Sequence, residues 1–456
     1  MPNGGKSLLI FLYSVKGDGG EMQTAHLRGH SVDLAIIGAG IVGTSIAVAA
    51  AQRGLSVAVI DANPTPGFGS TSASAGIVRV HAGDFASSLM SHESVFAWKN
   101  WRDFVGVPAS EAAAEFVQCG TFILEDHNET LDKYAAVLEA NGIGFSFLGH
   151  DTLQEELPWA DLEKFGPPAH PDSEEFWKEP DGLIERALHT ASSGYVADPA
   201  LAAQNLAQKA RRLGAHFVMG QRVVGASRGA GGNWQLTLQD GNVLESANVV
   251  NAAGPASIEV NRLLGVGNDF TVGQRIIRQE LHHVTASEEI KNPAHIVDGD
   301  LGINFRPEGK DGFMVGSSGD PVDGEELISD SNKYRSDATR DGWYRQAGRA
   351  ARRIPSLALT AIPKGVAGLY DVTDDWLPIF DKTDQPGVFI AIGTSGNQFK
   401  TAPVAGDFLV DLVVAQMNGV NTDEHPLEVH LKEAGQSIQT SVFSRLRTVN
   451  DGGMRG

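Results

Sequence analysis

Three glycines at a fixed spacing are the clearest chemical signal in the sequence. The segment Gly38-Ala-Gly40-Ile-Val-Gly43 follows a short apolar run at residues 32–37 and precedes an Ala-rich stretch. In such a segment the first glycine makes a tight turn, the second lets the backbone approach a pyrophosphate, and the third lets helix and strand pack closely. Asp61 ends the next apolar run and is placed to accept a hydrogen bond from a ribose hydroxyl. The spacing predicts a dinucleotide site.

Two further small-residue segments follow strand-like runs much later in the chain. They are Asn251-Ala-Ala-Gly254-Pro255 and Gly393-Thr-Ser-Gly396-Asn-Gln-Phe-Lys400. Both would let a flat or anionic group approach the backbone. A nicotinamide dehydrogenase normally keeps its nucleotide domain contiguous, whereas a cofactor contacted at three distant places indicates a longer molecule. We therefore predict FAD, in a discontinuous domain with a second domain inserted.

Several other side chains are weaker candidates for a site. Tyr370 is either a site residue or a strand aromatic that packs the sheet. His81 could reach the site as an acid or base. Only one of the adjacent His282 and His283 can face a site from a strand, and a satisfied or solvent-facing histidine is the simpler interpretation. Cys119, the only cysteine, is interpreted as a small buried hydrophobic residue.

Other function classes find little support in the sequence. Gly393-Thr-Ser-Gly-Asn397 lacks the second glycine of a nucleophile elbow, and Gly4-Gly-Lys-Ser7 lacks the upstream glycine of a P-loop. A formal charge of −20 leaves no basic face for nucleic acid. No apolar run approaches the roughly 20 residues of a membrane span. A single cysteine is typical of a reducing compartment. We expect a cytoplasmic protein without a signal peptide or a metal site.

The surrounding pattern indicates which elements position these residues. Strands at 32–37 and 56–60 flank a helix that ends near Gln52, and Asp198-Pro199 begins a helix that ends near Leu213. Residues 266–365 have alternating, strand-like character with charges on one face, which marks a different domain. Further strands are predicted at 215–219, 222–226, 234–238, 243–250 and 388–392, and a further helix at 402–417.

Taken together, these segments resemble the D-amino-acid-oxidase superfamily of flavoproteins, above all its glycine/sarcosine oxidase and dimethylglycine dehydrogenase branches. The resemblance spans about residues 32–413 in order, so it concerns the whole fold. As a set the motifs are specific for the superfamily and unspecific for substrate. The matching segments are 37–43 with Asp61, 69–79, 194–199, 250–255, 368–373 with Asp375 and Pro378, and 393–406.

The resemblance implies an α/β fold with a Rossmann-type FAD-binding domain that is discontinuous in sequence. An inserted α+β substrate domain, built on a mixed or antiparallel sheet, covers the flavin. The expected FAD-binding domain comprises 31–80, 186–265 and 366–440, and the substrate domain comprises 81–185 and 266–365. Residues 1–30 are expected to form a dispensable flexible extension, and residues 441–456 a C-terminal tail.

The resemblance also implies contacts with FAD in three regions. The loop at 70–76 suits the pyrophosphate, Val223 is a backbone candidate for the adenine, and N–H groups at 396–399 would face the pyrimidine carbonyl of the flavin. The expected cofactor-binding residues are Gly38, Gly40, Ile41, Val42, Gly43, Asp61, Ala62, Ser70, Thr71, Ser72, Ala75, Gly76, Val223, Ala253, Gly254, Gly368, Gly396, Asn397, Gln398, Phe399 and Lys400.

The substrate site is expected around Arg79, Lys400, Tyr370 and His81. The sarcosine oxidase branch binds the substrate carboxylate with basic residues at positions that match Arg79 and Lys400. The branch that oxidises D-amino acids and glycine instead has an arginine where this chain has Tyr370. In an alternative interpretation, Arg79 pairs with the FAD pyrophosphate and Lys400 is a surface charge at a helix start.

Covalent attachment of FAD is not expected. The dimethylglycine dehydrogenase branch attaches FAD through a histidine before Ala-Ala-Gly, where this chain has Ala73-Ser-Ala-Gly76. The sarcosine oxidase branch uses a cysteine near the position of Gly368-Leu-Tyr370, and Cys119 lies far upstream. Both attachment residues are missing, so we predict non-covalent FAD.

The expected activity is oxidation of the C–N bond of an amino acid or an N-substituted amino acid, by hydride transfer to FAD and hydrolysis of the imine. Two alternatives stay open. One is a 2-hydroxy acid or polyol-phosphate dehydrogenase, which would need His81, His282 or His283 as a general base. The other is a non-catalytic subunit that carries flavin. The motifs leave the electron acceptor (dioxygen, a quinone or a carrier protein) and a homo-oligomeric state open.

Overall fold

A computed structural model describes residues 31–126, 130–319 and 321–449. The predicted N-terminal extension, residues 1–30, lies outside the described residues. Within them no helix has both the length and the apolar character to cross a bilayer. The α-helices are α1 (Ile41–Gln52), α2 (Phe85–Lys99), α3 (Trp101–Val105), α4 (Thr130–Ala140), α5 (His150–Glu156), α6 (Pro199–Arg212), α7 (Ser257–Leu264), α8 (Arg340–Arg353) and α9 (Ala402–Met417).

The strands form two large sheets and two small ones. They are β1 (Ser31–Ile37), β2 (Val57–Asp61), β3 (Ile77–Val78), β4 (Phe116–Gln118), β5 (Thr121–Leu124), β6 (Ser146–Gly149), β7 (Arg186–Thr190), β8 (Gly194–Val196), β9 (His216–Met219), β10 (Val223–Arg228), β11 (Trp234–Leu238), β12 (Val243–Asn251), β13 (Gln274–Ala286), β14 (His295–Asp298), β15 (Ile303–Glu308), β16 (Gly312–Ser317), β17 (Glu326–Leu327), β18 (Leu357–Ala358), β19 (Gly365–Thr373), β20 (Ile379–Lys382), β21 (Val388–Ile392), β22 (Glu428–Leu431) and β23 (Gln436–Gln439).

The first sheet is built around the predicted βαβ unit. Its order is β10-β11-β12-β1-β2-β9, with β21 parallel to β12 and β20 antiparallel to β21. Strand β1 runs parallel to both β12 and β2. Its core, Leu34 to Ile36, is fully buried, as expected for a parallel strand covered on both faces. Because parallel strands end at the same edge, the segments after β1, β12 and β21 meet there.

Helix α1 packs on this sheet and contacts both α6 and α9. The contact between α1 and α9 is close because Gly406 has no side chain: a Cβ there would lie 2.4 Å from the backbone oxygen of Ser45. Helix α6 begins where predicted, since the Asp198 side chain accepts a hydrogen bond from the Leu201 N–H at 2.9 Å. This cap satisfies a helix donor that has no partner within the helix.

The second large sheet runs β17-β13-β16-β15-β14-β5-β7-β6, and β18 and β19 also pair with β13. It contains β7 and β19, whereas the predicted boundaries assign residues 186–190 and 366–373 to the FAD-binding domain. The physical reason is non-local, because β19 pairs with β13 along all 9 of its residues. An apolar run predicts a strand without specifying its partner. The predicted α/β fold with a second, mixed sheet is confirmed.

The charges predicted on one face of the strand-like region 266–365 are present at residues 278–284, in β13, but they are buried. Arg278, Glu280 and His282 lie beneath α8, and none is more than 7% exposed. Glu280 pairs with Arg278 at 2.6 Å and accepts from the Thr339 N–H at 3.0 Å, at the start of α8. Helix α8, which covers this face, was not predicted from the sequence.

The described part of the predicted C-terminal tail packs against the first sheet. Arg445 is buried and pairs with Asp381 at 3.1 Å and with Asp423 at 2.8 Å. Arg447 pairs with Asp375 at 2.7 Å. Charge-assisted pairs of this kind fix the segment in place, so residues 441–449 are part of the folded structure.

Candidate functional site

A cavity of 450 Å³ opens at the edge where β1, β2 and β12 end. Gly38 makes the turn after β1 with φ +114°, and a Cβ there would lie 2.2 Å from the Ala252 oxygen. A Cβ on Gly43 would lie 2.0 Å from the Gly38 oxygen. Real Cβ atoms do not approach backbone so closely, so glycine is required at both positions. The turn therefore lets α1 start directly at the cavity.

The N-terminus of α1 suits an anion. Gly40 is its N-cap without a side-chain cap, and the first turn carries no acidic residue. Ile41 N–H donates to Thr71 Oγ1 at 3.1 Å, and a Cβ on Gly40 would meet only that hydroxyl oxygen, at 3.3 Å. Free N–H groups and the helix dipole favour a phosphate at such a place.

Asp61 and Val223 lie further along the same cavity. The Asp61 carboxylate accepts from the Ala39 N–H and from the Asn63 N–H, each at 2.7 Å. These bonds orient it; Oδ1 also accepts from Asn63 Nδ2 at 3.0 Å, and Oδ2 keeps a second lone pair for a hydroxyl. Val223 begins β10 and is buried at the cavity wall. The arrangement can hold a pyrophosphate with a ribose and a ring beyond it.

The segment between β21 and α9 forms the opposite wall. Gly396 has φ +69°, and a Cβ there would lie 2.1 Å from the Tyr370 ring. Asp371 orients the turn, because its carboxylate accepts from Thr394 Oγ1 at 2.6 Å and from the Thr394 N–H at 3.1 Å. Thr394, Gly396, Gln398 and Phe399 line the cavity just before α9 begins. This wall again combines close backbone approach with the positive end of a helix dipole.

A smaller cavity of 160 Å³ adjoins the larger one. The two share Ser70, Ser74, Leu369, Tyr370, Gly396 and Phe399 as lining residues. The polar side chains that line the smaller cavity include Arg79, His81, Tyr134, His295 and Lys400. Its volume is below the roughly 300–1,000 Å³ of a drug-sized site, so it suits a small molecule.

Arg79 and Lys400 are both buried beside this cavity. Arg79 donates through Nη1 to the His81 carbonyl at 2.9 Å and through Nη2 to Asn397 Oδ1 at 3.0 Å. Lys400 is 4% exposed and not at the surface. Burial and the charge of Arg79 hold the pKa of Lys400 well below its usual value, while Asp84 opposes them. Both cations lack a carboxylate partner among the described residues.

Two histidines face the same space. Burial lowers the pKa of His81 well below its usual value, and the charge of Arg79 lowers it further. Burial also lowers the pKa of His295 to about 3. Both imidazoles are therefore neutral at pH 7. The His81 ring contacts the Tyr134 ring edge-on, with centroids 5.1 Å apart.

The predicted site residues divide between the cavities. Ala75, Gly368, Asn397 and Lys400 line the smaller one, although they were predicted as cofactor contacts. Three predicted contacts line neither cavity: Gly43 packs behind the turn, Ser72 Oγ donates to the Gly69 carbonyl at 2.9 Å, and Gly76 turns into β3. The remaining predicted contacts line the larger cavity.

His282, His283 and Cys119 line neither cavity. His282 is buried beneath α8, where desolvation lowers its pKa to about 4. Tyr134 and His295 were missed by the sequence analysis. They come from α4 and β14, and neither lies in a motif. Only the tertiary packing brings them to Arg79.

Comparison with known proteins supports an FAD-binding fold for this chain. A family model described as FAD dependent oxidoreductase matches residues 33–412. No curated protein sequence matches the chain. The fold is similar to glycine oxidase from Geobacillus kaustophilus, at 19% identity and TM-score 0.69, over 92% of this chain and 100% of that one.

Two other solved structures have the same fold. L-proline dehydrogenase from P. horikoshii is 20% identical with a TM-score of 0.69, over 85% of this chain and 94% of that chain. An FAD-bound L-α-glycerophosphate oxidase from Mycoplasma pneumoniae is 16% identical with a TM-score of 0.67, over 84% and 95%. At this identity the structures show the fold alone, whereas the family model covers most of the chain. The chain therefore belongs to the D-amino-acid-oxidase (DAO) family of FAD-dependent oxidoreductases, as its motifs predicted.

Proposed function

We propose that this enzyme oxidises the C–N bond of a small amino acid or N-substituted amino acid. The observation that carries the proposal is the pair of buried cations, Arg79 and Lys400, beside a cavity that shares a wall with the larger one. Buried charges need partners. A substrate carboxylate is the partner that a planar guanidinium binds bidentately while an ammonium adds a point charge.

The larger cavity has the donors that FAD requires. The first turn of α1 would hold the pyrophosphate, Asp61 a ribose hydroxyl, and the turn at 394–399 the flavin. FAD held there would supply the acceptor for a hydride from the substrate α-carbon. The resulting imine would take up water and release the amine and a carbonyl compound.

The protein residues supply binding and orientation. Arg79 keeps further N–H donors after bonding His81 and Asn397. The charges of Arg79 and Lys400 also disfavour a protonated substrate amine, so they favour the neutral amine whose lone pair forms the C=N bond. Tyr370 lines both cavities and so adjoins substrate and cofactor.

A hydroxy acid substrate is the second candidate, because His81 and His295 could take a hydroxyl proton. Their lowered pKa values make both weak bases. His282 and His283 line neither cavity. The C–N reaction needs no such base, and therefore fits these residues better.

An anaerobic absorbance titration tests the proposal. We expect N-methyl or cyclic amino acids to bleach the flavin and 2-hydroxy acids of similar size to leave it oxidised. Bleaching by hydroxy acids alone would favour the second candidate, and no bleaching by either would contradict both. Mixing the reduced enzyme with dioxygen and with an artificial acceptor in a stopped-flow instrument then identifies the acceptor.

We predict that FAD is held without a covalent bond. No histidine or cysteine of the described residues lines the larger cavity, and Cys119 lines neither cavity. Acid precipitation should release all of the yellow cofactor into the supernatant. Flavin that stays with the washed protein pellet would contradict the prediction.

A further inference from the structure

Two histidine side chains beside the smaller cavity have an unpaired ring nitrogen. His81 and His295 line this cavity and are each 1% exposed. His81 Nδ1 and His295 Nε2 have no hydrogen-bond partner among the described residues. A buried polar atom left without a partner destabilises the folded protein. Two such atoms beside a substrate cavity indicate a polar ligand.

The hydrogen bonding of Thr121 sets the role of His295. Thr121 is fully buried, and its hydroxyl lies 2.9 Å from His295 Nδ1, its only partner in the described structure. The hydroxyl must donate to Nδ1, because its hydrogen would otherwise be unpaired. The proton of the neutral ring is then on Nε2, which makes His295 a donor to an acceptor in the cavity.

The charged residues that line the cavity also favour an anionic ligand. Its charged lining residues are Arg79, Lys400 and Glu280. Both Glu280 oxygens are already used, by Arg278 at 2.6 Å and by the Thr339 N–H at 3.0 Å. Glu280 therefore neutralises neither Arg79 nor Lys400, and one substrate carboxylate bound by both cations offsets only part of their positive charge. A second anionic group at the neighbouring histidines would lie in the same positive field.

We infer that the cavity binds a substrate with two anionic groups, one at Arg79 and Lys400 and the other at His81 and His295. This inference rests on the proposed function and narrows its substrate class. The second group is a carboxylate or a phosphoryl-type group on the side chain or the nitrogen substituent. A cavity of 160 Å³ restricts the substrate to a few atoms between the two groups.

Titration of the oxidised holoenzyme with small acids tests the inference, with the flavin spectrum as readout. Acetate has one anionic group, malonate has two, phosphonoacetate carries a phosphonate as the second, and malonamate has a neutral amide in its place. We expect malonate or phosphonoacetate to bind at least about tenfold more tightly than acetate and malonamate. The tighter of the two identifies the second group. If neither malonate nor phosphonoacetate binds more tightly than malonamate, the inference is overturned.

Variants connect this preference to the histidines. His81→Gln and His295→Gln should remove most of the preference for malonate over acetate, measured as the ratio of the two affinities within each variant. Thr121→Val keeps the His295 ring but removes the hydrogen-bond partner of its Nδ1. This variant should also bind malonate more weakly relative to acetate. His92→Gln is the matched control, since His92 on α2 lines neither cavity. A preference that survives in both histidine variants, each with full FAD and the parent's melting temperature, would contradict the inference.

The outcomes also separate this inference from the proposed function. If acetate binds and Arg79→Met abolishes its binding, the carboxylate site stands even when malonate shows no advantage. If none of the four acids perturbs the flavin spectrum, both proposals are wrong.

Discussion

Arg79→Met and Lys400→Met should each lower the affinity for a carboxylate ligand by roughly 10 to 150-fold, since each removes a charge-assisted contact worth about 1.5–3 kcal/mol. Both side chains are buried, so solvent does not screen the contact as it would at a surface. The measurement is a flavin spectral titration with acetate or with the substrate. FAD occupancy should stay complete, because both residues line the smaller cavity.

Lys99→Met is the matched control, since Lys99 is exposed at the end of α2 and lines neither cavity. It should bind acetate as the parent does. If Arg79→Met and Lys400→Met also bind acetate as the parent does, the carboxylate site is wrong and the substrate is not an amino acid. Loss of FAD from Arg79→Met would instead support the alternative in which Arg79 pairs with the pyrophosphate.

The pH dependence gives a second readout for Lys400. Burial and Arg79 hold the pKa of this lysine well below its usual value in the free enzyme. An anion binds more tightly to the protonated lysine, so affinity falls as the pH rises through that lowered pKa. The decline should begin well below the ordinary lysine range near 10.4. The Lys400→Met variant should not show this decline in affinity.

Local patterns explain why much of the first sheet could be predicted. The strands at 234–238 and 388–392 and the helix at 402–417 have the predicted bounds. Each is a continuous run with its own start and stop residues. The turn at Gly38 was equally readable, because the spacing of its three glycines lies within one βαβ unit, where Gly43 packs directly on the Gly38 backbone.

Features that depend on distant partners could not be read in this way. The alternation at 278–284 predicts a strand, but only the packing of α8 buries its charged face. The sequence of β19 predicts a strand but not the sheet to which it belongs. Its pairing with β13 places it in the second large sheet. His295 is a single histidine outside any motif, and it reaches the cavity because β14 pairs with β5. Arg79 and Lys400 were found through the resemblance, since a lone cation carries no local signal.

Gly43→Ala should abolish stable FAD binding, although Gly43 itself touches neither cavity. The new Cβ would lie 2.0 Å from the oxygen and 3.0 Å from the carbon of Gly38. Both are backbone atoms in a turn that is already confined by Ala252. The clash can be relieved only if α1 moves away from β1. That movement should cost about 1–3 kcal/mol of folding stability, and it would displace the N–H groups that hold the pyrophosphate.

Two measurements check this prediction. The purified variant should contain little flavin, and added FAD should raise its melting temperature far less than that of the parent apoprotein, because the stabilisation by a ligand depends on its affinity. Gly144→Ala is the control, since a Cβ at Gly144 would meet no atom within 4 Å; it should keep full FAD. A Gly43→Ala protein with stoichiometric FAD and an unchanged melting temperature would show that α1 can shift without moving the phosphate site. The third glycine would then be dispensable for cofactor binding in this chain.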